Sequence, residues 1–277
     1  MQFACKTLIL NVLSIASKGE KMNPQKEWIE KAIEIIREIE RKEMKNIERA
    51  SITIAESMFT GHVCYLFGSG HSTIPVEEMY PRYGGVVGFL PIIQLPLSHF
   101  TNVVGDLGVS QFQFLERSEG YAEAILQNYV LHSQDSIVIY SNSGVTPIVV
   151  DMALAAKKKN VKLIAVTSLS YSKLLKPWHS SGKKLHEIAD VVIDSCVPPG
   201  DVAIEISGFN RKVGPLSTAA FVTIANLISI GVIQQMVKMG LKPRVNPVSY
   251  YDHDAEDVLK ENIREFARLL SEHLIRQ

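Results

Sequence analysis

Little in this chain could hold it together from outside a packed core. Only three cysteines, Cys5, Cys64 and Cys196, occur in 277 residues. They are odd in number, far apart and without C-x-x-C or Cys/His spacing, which argues against a disulfide framework or a zinc cage and fits a reducing, cytoplasmic compartment. Net charge is also missing: 29 Lys+Arg balance 29 Asp+Glu, so no overall field draws nucleic acid or an anionic membrane, and a charged ligand must be gripped by local geometry. No apolar run is read as reaching the roughly 20 residues that span a bilayer, which predicts a soluble protein without a membrane partner. Internal repeats, low-complexity tracts and Pro/Gly/Ser linkers are absent. With 46% hydrophobic residues the composition is globular, and a single domain over residues 22–277 is the economical reading.

The opening 21 residues, "MQFACKTLILNVLSIASKGEK", carry one short apolar stretch behind a single lysine, too thin a basic region for a signal peptide. They are read as a poorly ordered extension. At "MNPQKEW", Asn23 is placed to cap a helix with Pro24 at its first position. Apolar residues then recur at Trp28, Ala32, Ile35, Ile39, Ile47, Ile54 and Met58 until Gly61, which predicts one long or once-broken amphipathic helix. Its apolar stripe exceeds what one sheet face can cover, so a second copy of the chain is expected against it, in a homodimer or higher homo-oligomer.

Five β-rich runs follow, at 62–67, 86–95, 135–141, 161–168 and 190–195, separated by helical stretches near 73–80, 117–133, 146–159 and 215–239, with a last helix over 254–275. Continuous Val/Ile/Leu runs between helices indicate a parallel sheet buried on both faces. In such a sheet ligands bind beyond the carboxyl ends of the strands where strand order reverses. With the order 2-1-3-4-5, that point lies between strands one and three. The loops leaving those strands are "GSGHST" (68–73) and "SNSGVTP" (141–147). Gly68, Gly70 and Gly144 admit close approach of a ligand to backbone, and Ser69, Ser72, Ser141, Asn142, Ser143 and Thr146 add polar side chains. The occupant such loops suit is a phosphate, although a tight strand-to-helix turn with a capping serine is the competing explanation for the first of them. A third hydroxyl cluster, "TSLSYS" (167–172), brings Ser168 toward the same mouth. A dinucleotide fits less well, because the third glycine of G-x-G-x-x-G is replaced by Thr73 and no acidic residue closes a second strand. A P-loop lysine is missing as well. His71 lies within the first loop. His99 and His179 could approach the mouth, and Lys183 could neutralise a phosphate.

Taken in order behind a long first helix, "GSGHS", "SNSGVTP", "IAVTS" and "GPLSTAAF" resemble the sugar isomerase (SIS) family of phosphosugar-binding domains over about residues 24–240. "LERSEGYAEAIL" (115–126), "TSLSYSK" (167–173) and "HSSGKKLHEIADVVID" (179–194) resemble a single-SIS branch labelled as phosphoheptose isomerase-like. The resemblance implies a three-layer α/β/α flavodoxin-like fold with a five-stranded parallel sheet, a phosphorylated sugar held by the two serine loops, and aldose–ketose isomerisation. A phosphosugar lyase or etherase and a non-enzymatic phosphosugar sensor are the alternatives.

Isomerisation and β-elimination both take a proton from carbon beside a carbonyl or its equivalent, so a carboxylate or imidazole must stand near the phosphate grip. "EMYPRYG" (78–84) resembles a stretch of the muramic acid phosphate etherases and marks Glu78 as an acid/base, at a spacing from Ser72 about one helical turn shorter than theirs. "LERSEG" resembles the segment holding their other catalytic glutamate and marks Glu116 and Glu119. "AIEISGFNRKVGPLST" resembles the glutamate-bearing segment of the glucosamine phosphate synthase isomerase domain and marks Glu205, but Val213 stands where that enzyme has histidine. The catalytic candidates are therefore Glu78, Glu119, Glu205 and His71, with Glu116, His99, His179 and Lys183 as lining residues. No H-E-x-x-H or paired histidine spacing occurs, so neither metal nor cofactor is expected.

Overall fold

The computed structural model describes residues 23–98 and 108–275. Helix α1 (Pro24–Phe59) is continuous over 36 residues, with the Asn23 Oδ1 accepting the Gln25 N–H at 2.8 Å and proline in its first turn. The core strands and helices follow as β1 (Cys64–Gly68), a 3-10 turn (Gly70–Thr73), α2 (Ile74–Met79), β2 (Phe89–Ile92), α3 (Leu95–Ser98), α4 (Val109–Glu116), α5 (Tyr121–Leu126) and β3 (Ser136–Tyr140). The second half adds α6 (Pro147–Lys158), β4 (Lys162–Thr167), α7 (Leu169–Leu174), α8 (Leu185–Ile188), β5 (Val191–Asp194), the hairpin strands β6 (Val202–Ile204) and β7 (Val213–Pro215), α9 (Ser217–Lys238) and α10 (Ala255–His273).

The main sheet is parallel in the order β2-β1-β3-β4-β5, as expected. Its central strand residues are apolar on both faces because both faces are covered. Cys64, Leu66, Val138, Tyr140, Ile164 and Val166 face one core, shared with Ile39, Ile47 and Ile54 of α1 and Phe221, Ile224 and Ile228 of α9. Tyr65, Phe67, Ile137, Ile139, Leu163 and Ala165 face the other, closed by Ile148, Met152 and Ala153 of α6, Ile125 of α5 and Leu269 of α10. Each of these large apolar side chains contributes about 1.5–3 kcal/mol on burial. The period of two along each strand thus decides which helix layer a residue meets.

Three expectations change. The helix expected over 117–133 is only α5, preceded by a separate α4, because the chain turns through Gly120 at φ +84°. The antiparallel pair β6–β7 lies between the last expected strand and the helix near 215, where no element was expected. It docks on the start of α1, where the Trp28 indole N–H donates to the Pro215 carbonyl at 3.2 Å and the Lys31 ammonium to the Ala203 carbonyl at 2.8 Å. Finally, Ser217–Lys238 is long and apolar enough to cross a membrane, contrary to the reading that no run approaches that length. Nine of its residues, among them Phe221, Ile224 and Ile228, are buried within the protein, which accounts for its apolar composition without a bilayer.

Candidate functional site

The two hydroxyl-rich loops leave neighbouring strands at the same level. Gly68 pairs in register with Tyr140, so Ser69 and Ser141 emerge side by side at the point where strand order reverses. In the first loop the chain folds back at once. A Cβ on Gly68 would lie 2.0 Å from the Ser72 carbonyl oxygen, so only glycine fits. Gly70 takes φ +60°. The Ser72 N–H donates to the Ser69 carbonyl at 3.1 Å, and the Thr73 hydroxyl to the Gly68 carbonyl at 3.1 Å. Thr73, the residue that spoils the dinucleotide fingerprint, is thus an internal staple. Ser69 and Ser72 remain half-buried and His71 is exposed on the rim.

The second loop is built from its own serine. Ser141 Oγ accepts the Gly144 N–H at 3.1 Å, and Gly144 at φ +65° leaves no room for a Cβ, which would stand 2.9 Å from Thr167 Oγ1. The loop is tied to its neighbours through the Ser168 N–H on the Asn142 carbonyl (3.1 Å) and the Leu185 N–H on the Gly144 carbonyl (2.9 Å). Two of its side-chain oxygens, Asn142 Oδ1 and Thr146 Oγ1, are buried without a hydrogen-bond partner. A buried polar atom left so costs about 1–3 kcal/mol. Thr146 also sits at the N-cap of α6 without capping it, so the α6 N-terminus, which favours anions, opens at the same place.

The third cluster behaves differently. Ser168 is fully buried. Its hydroxyl donates to the Val197 carbonyl at 2.7 Å and accepts the Tyr171 N–H at 3.2 Å as the cap of α7. Ser168 therefore departs from the phosphate grip expected of it: its one O–H is already given to Val197, which leaves no side-chain donor for a phosphate. Ser172 Oγ meets His186 Nδ1 at 3.1 Å behind Gly144, and burial holds the His186 pKa below the ordinary value.

The four candidate glutamates stand in four different environments. Glu78, on α2 just beyond the first loop, is half-buried with Oε1 3.3 Å from both Arg82 Nε and Asn226 Nδ2. Glu116, at the end of α4, is half-buried and burial pushes its pKa up. Glu119 is saturated with donors: Oε1 accepts the Ser180 N–H at 2.7 Å and Oε2 its hydroxyl, which holds its pKa down. His179 stands 3.8 Å from Glu119, with Nε2 2.8 Å from Asp151 Oδ1 and Nδ1 2.8 Å from Ser181 Oγ. Glu119, His179, Asp151, Ser180 and Ser181 thus brace the α4–α5 turn against α6 and the segment before α8. Asp151 was not singled out in sequence; its link to His179 appears only in the fold. Lys183 is exposed next to this brace. Glu205, on the β6–β7 hairpin, is exposed and paired with Lys212 at 3.3 Å. His99 lies outside the described residues.

The chain is thus a doubly wound α/β/α sandwich with two glycine–serine loops at the switch point of its sheet. Among such sandwiches it belongs to the SIS domain family, whose model matches residues 27–168. It is 38% identical to UPF0309 protein OB3413 of Oceanobacillus iheyensis over 197 residues, 71% of this chain and 78% of that one. To UPF0309 protein Teth39_1980 of Thermoanaerobacter pseudethanolicus it is 33% identical over 223 residues, 79% of this chain and 88% of that one. Among solved structures it is similar to phosphoheptose isomerase GmhA from Neisseria gonorrhoeae, with a TM-score of 0.47 at 14% identity over 73% of this chain and 94% of that one. The sugar isomerase domain of the RpiR transcription factor from Sphaerobacter thermophilus matches with a TM-score of 0.47 at 16% identity, over 86% of this chain and 97% of that one.

Proposed function

We propose that this chain binds a phosphorylated sugar at the mouth between β1 and β3 and interconverts its aldose and ketose forms. The observation that carries the reading is the Gly68–Tyr140 register, which sets two close-approach glycine loops against each other beside the buried, unpartnered Asn142 Oδ1 and Thr146 Oγ1. Loop hydroxyls and N–H groups suit phosphate oxygens, and Asn142 Oδ1, an acceptor, suits a sugar hydroxyl. In this reading Glu78 takes the proton from the carbon beside the carbonyl and returns it to the neighbouring carbon. Glu116, which burial inclines toward the protonated form, serves in this reading as the accompanying acid. Glu119, held ionised by Ser180, positions the brace.

Incubation in deuterated water tests the reading: the protein should wash deuterium into the carbon beside the carbonyl of its phosphosugar, and Glu78→Gln should stop it. Elimination of a substituent instead of exchange would indicate the lyase, and binding without either would indicate a sensor. The same proposal includes a second copy of the chain. Ile29, Ile33, Ile36 and Met44 form an exposed apolar stripe on α1, between 38% and 52% accessible, which self-association would cover.

A further inference from the structure

At the opposite, amino-terminal edge of the sheet, three segments distant in sequence meet at one carboxylate. Asp135, in the turn before β3, is fully buried. Its Oδ1 lies 3.4 Å from His62 Nδ1, just ahead of β1, and 3.3 Å from His273 Nε2 at the end of α10. These three donor atoms all lie within 4.8 Å of one another. We propose that His62, Asp135 and His273 form a binding site for a divalent transition-metal ion of the zinc type, remote from the phosphosugar mouth.

The protonation pattern points the same way. His273 Nδ1 is 2.9 Å from the Leu269 carbonyl, and only an N–H can make that bond. Nε2 is therefore left either as a bare lone pair facing a carboxylate oxygen or as the proton-bearing nitrogen of an imidazolium. A metal ion resolves the first case, and an imidazole whose other nitrogen donates to a backbone carbonyl is the usual arrangement of a metal-bound histidine. His62 Nδ1 adds a second sign, being buried without a hydrogen-bond partner although it points at Asp135.

Distances favour the metal, although the 3.3 Å contact is still within hydrogen-bond reach. A charge-assisted N–H···O bond settles at about 2.7–2.9 Å, shorter than either contact here. Ligand atoms about 2.0–2.1 Å from a tetrahedral zinc stand about 3.3–3.4 Å apart, the separation seen on both edges that meet at Asp135 Oδ1. The carboxylate is held by an outer shell as well: the Val63 N–H donates to Oδ1 at 3.1 Å and the His132 N–H to Oδ2 at 2.7 Å. The His132 ring stands 5.4 Å from His62 and 5.3 Å from His273, centroid to centroid, and the fourth position falls to it or to water. His62 and His132 are only half-buried, which gives an ion access. Bound there, the metal would fasten the end of α10 to the starts of β1 and β3.

The test uses the full chain purified without a polyhistidine tag. Elemental analysis should find about one zinc-type ion per chain. Cobalt(II) added to chelator-stripped protein should give the visible bands of a tetrahedral site, and zinc should raise the melting temperature by mass action. The pair His62→Gln and His273→Gln should weaken cobalt binding at least about a hundredfold, whereas Ser72→Ala and Ser143→Ala should leave it intact. Should the double variant fail to fold, the cobalt spectrum of the unaltered protein still decides. Trace metal only, no cobalt bands and an unmoved melting temperature would overturn the site and leave a protonated His273 as the partner of Asp135. Undiminished cobalt binding by a folded double variant would overturn it equally.

Discussion

Single residues set the shape of the mouth before any ligand arrives. Gly68→Ala would drive a Cβ into the Ser72 carbonyl at 2.0 Å, backbone against backbone, so the turn must open. The expected cost is about 3 kcal/mol, read as a lowered midpoint in urea together with lost phosphosugar binding. Ser72→Ala and Ser143→Ala remove donors without opening a core cavity; each should weaken phosphosugar affinity about tenfold to a hundredfold while leaving the urea midpoint in place. Glu78→Gln keeps an oxygen for Arg82 and Asn226 but cannot carry a proton, so turnover should fall about a hundredfold to ten-thousandfold with binding retained. Full activity in that variant would move the base to His71 or Glu205. His186 supplies a pH test with a definite sign. Burial depresses its folded pKa, so above the unfolded value of about 6.5 it contributes no pH dependence. Below that value the unfolded chain takes up a proton that the folded chain refuses, and stability is lost as pH falls through the folded value. His186→Gln should flatten that acid slope in urea titrations. Gly68, Gly70 and Gly144 were legible in sequence because each is demanded by a local backbone shape. Ser168 was misread because its partner, Val197, is 29 residues away, and His62, His132, Asp135 and His273 carry no spacing that a linear pattern could reveal.

At the scale of elements, α1 presents two stripes with different duties. Ile35 and Ile39 were legible as part of its apolar period, but they face the chain's own core, at 8% and 0% exposure. Charges placed there would be buried and should unfold the protein rather than separate copies. Lysine at Ile29 and Ile36, on the exposed stripe, should instead convert the assembly to monomers with secondary structure intact, measured by light scattering and circular dichroism. A monomer in the unaltered protein would remove the second copy from the account. Long helices and the apolar strands of the main sheet were legible, and the short helices and hairpin strands were not, for a physical reason. A helix of 36 residues repeats its period many times, whereas α4, α7, α8 and the three-residue strands β6 and β7 are fixed by tertiary bonds. The contact of Trp28 with Pro215 is one such bond.

For the whole molecule, runs apolar on both faces indicated a covered parallel sheet; the order 2-1-3-4-5 expected for it is the one the structure has, and the mouth followed from that order. The reaction did not follow, since Glu78, Glu116 and Glu119 have environments that only packing creates: Ser180 holds one ionised while burial inclines another toward its acid form. The central claim is that the β1–β3 mouth recognises the phosphate of a sugar phosphate. Calorimetric titration of the unaltered protein with pentose, hexose and heptose phosphates, beside the same sugars without phosphate, tests it most directly. The account predicts saturable binding of at least one phosphorylated sugar, abolished in Gly68→Ala, with its free sugar bound at least about a hundredfold more weakly, as expected when two or more charge-assisted hydrogen bonds are lost. Equal affinity for the two forms, or binding that Gly68→Ala leaves untouched, would contradict it.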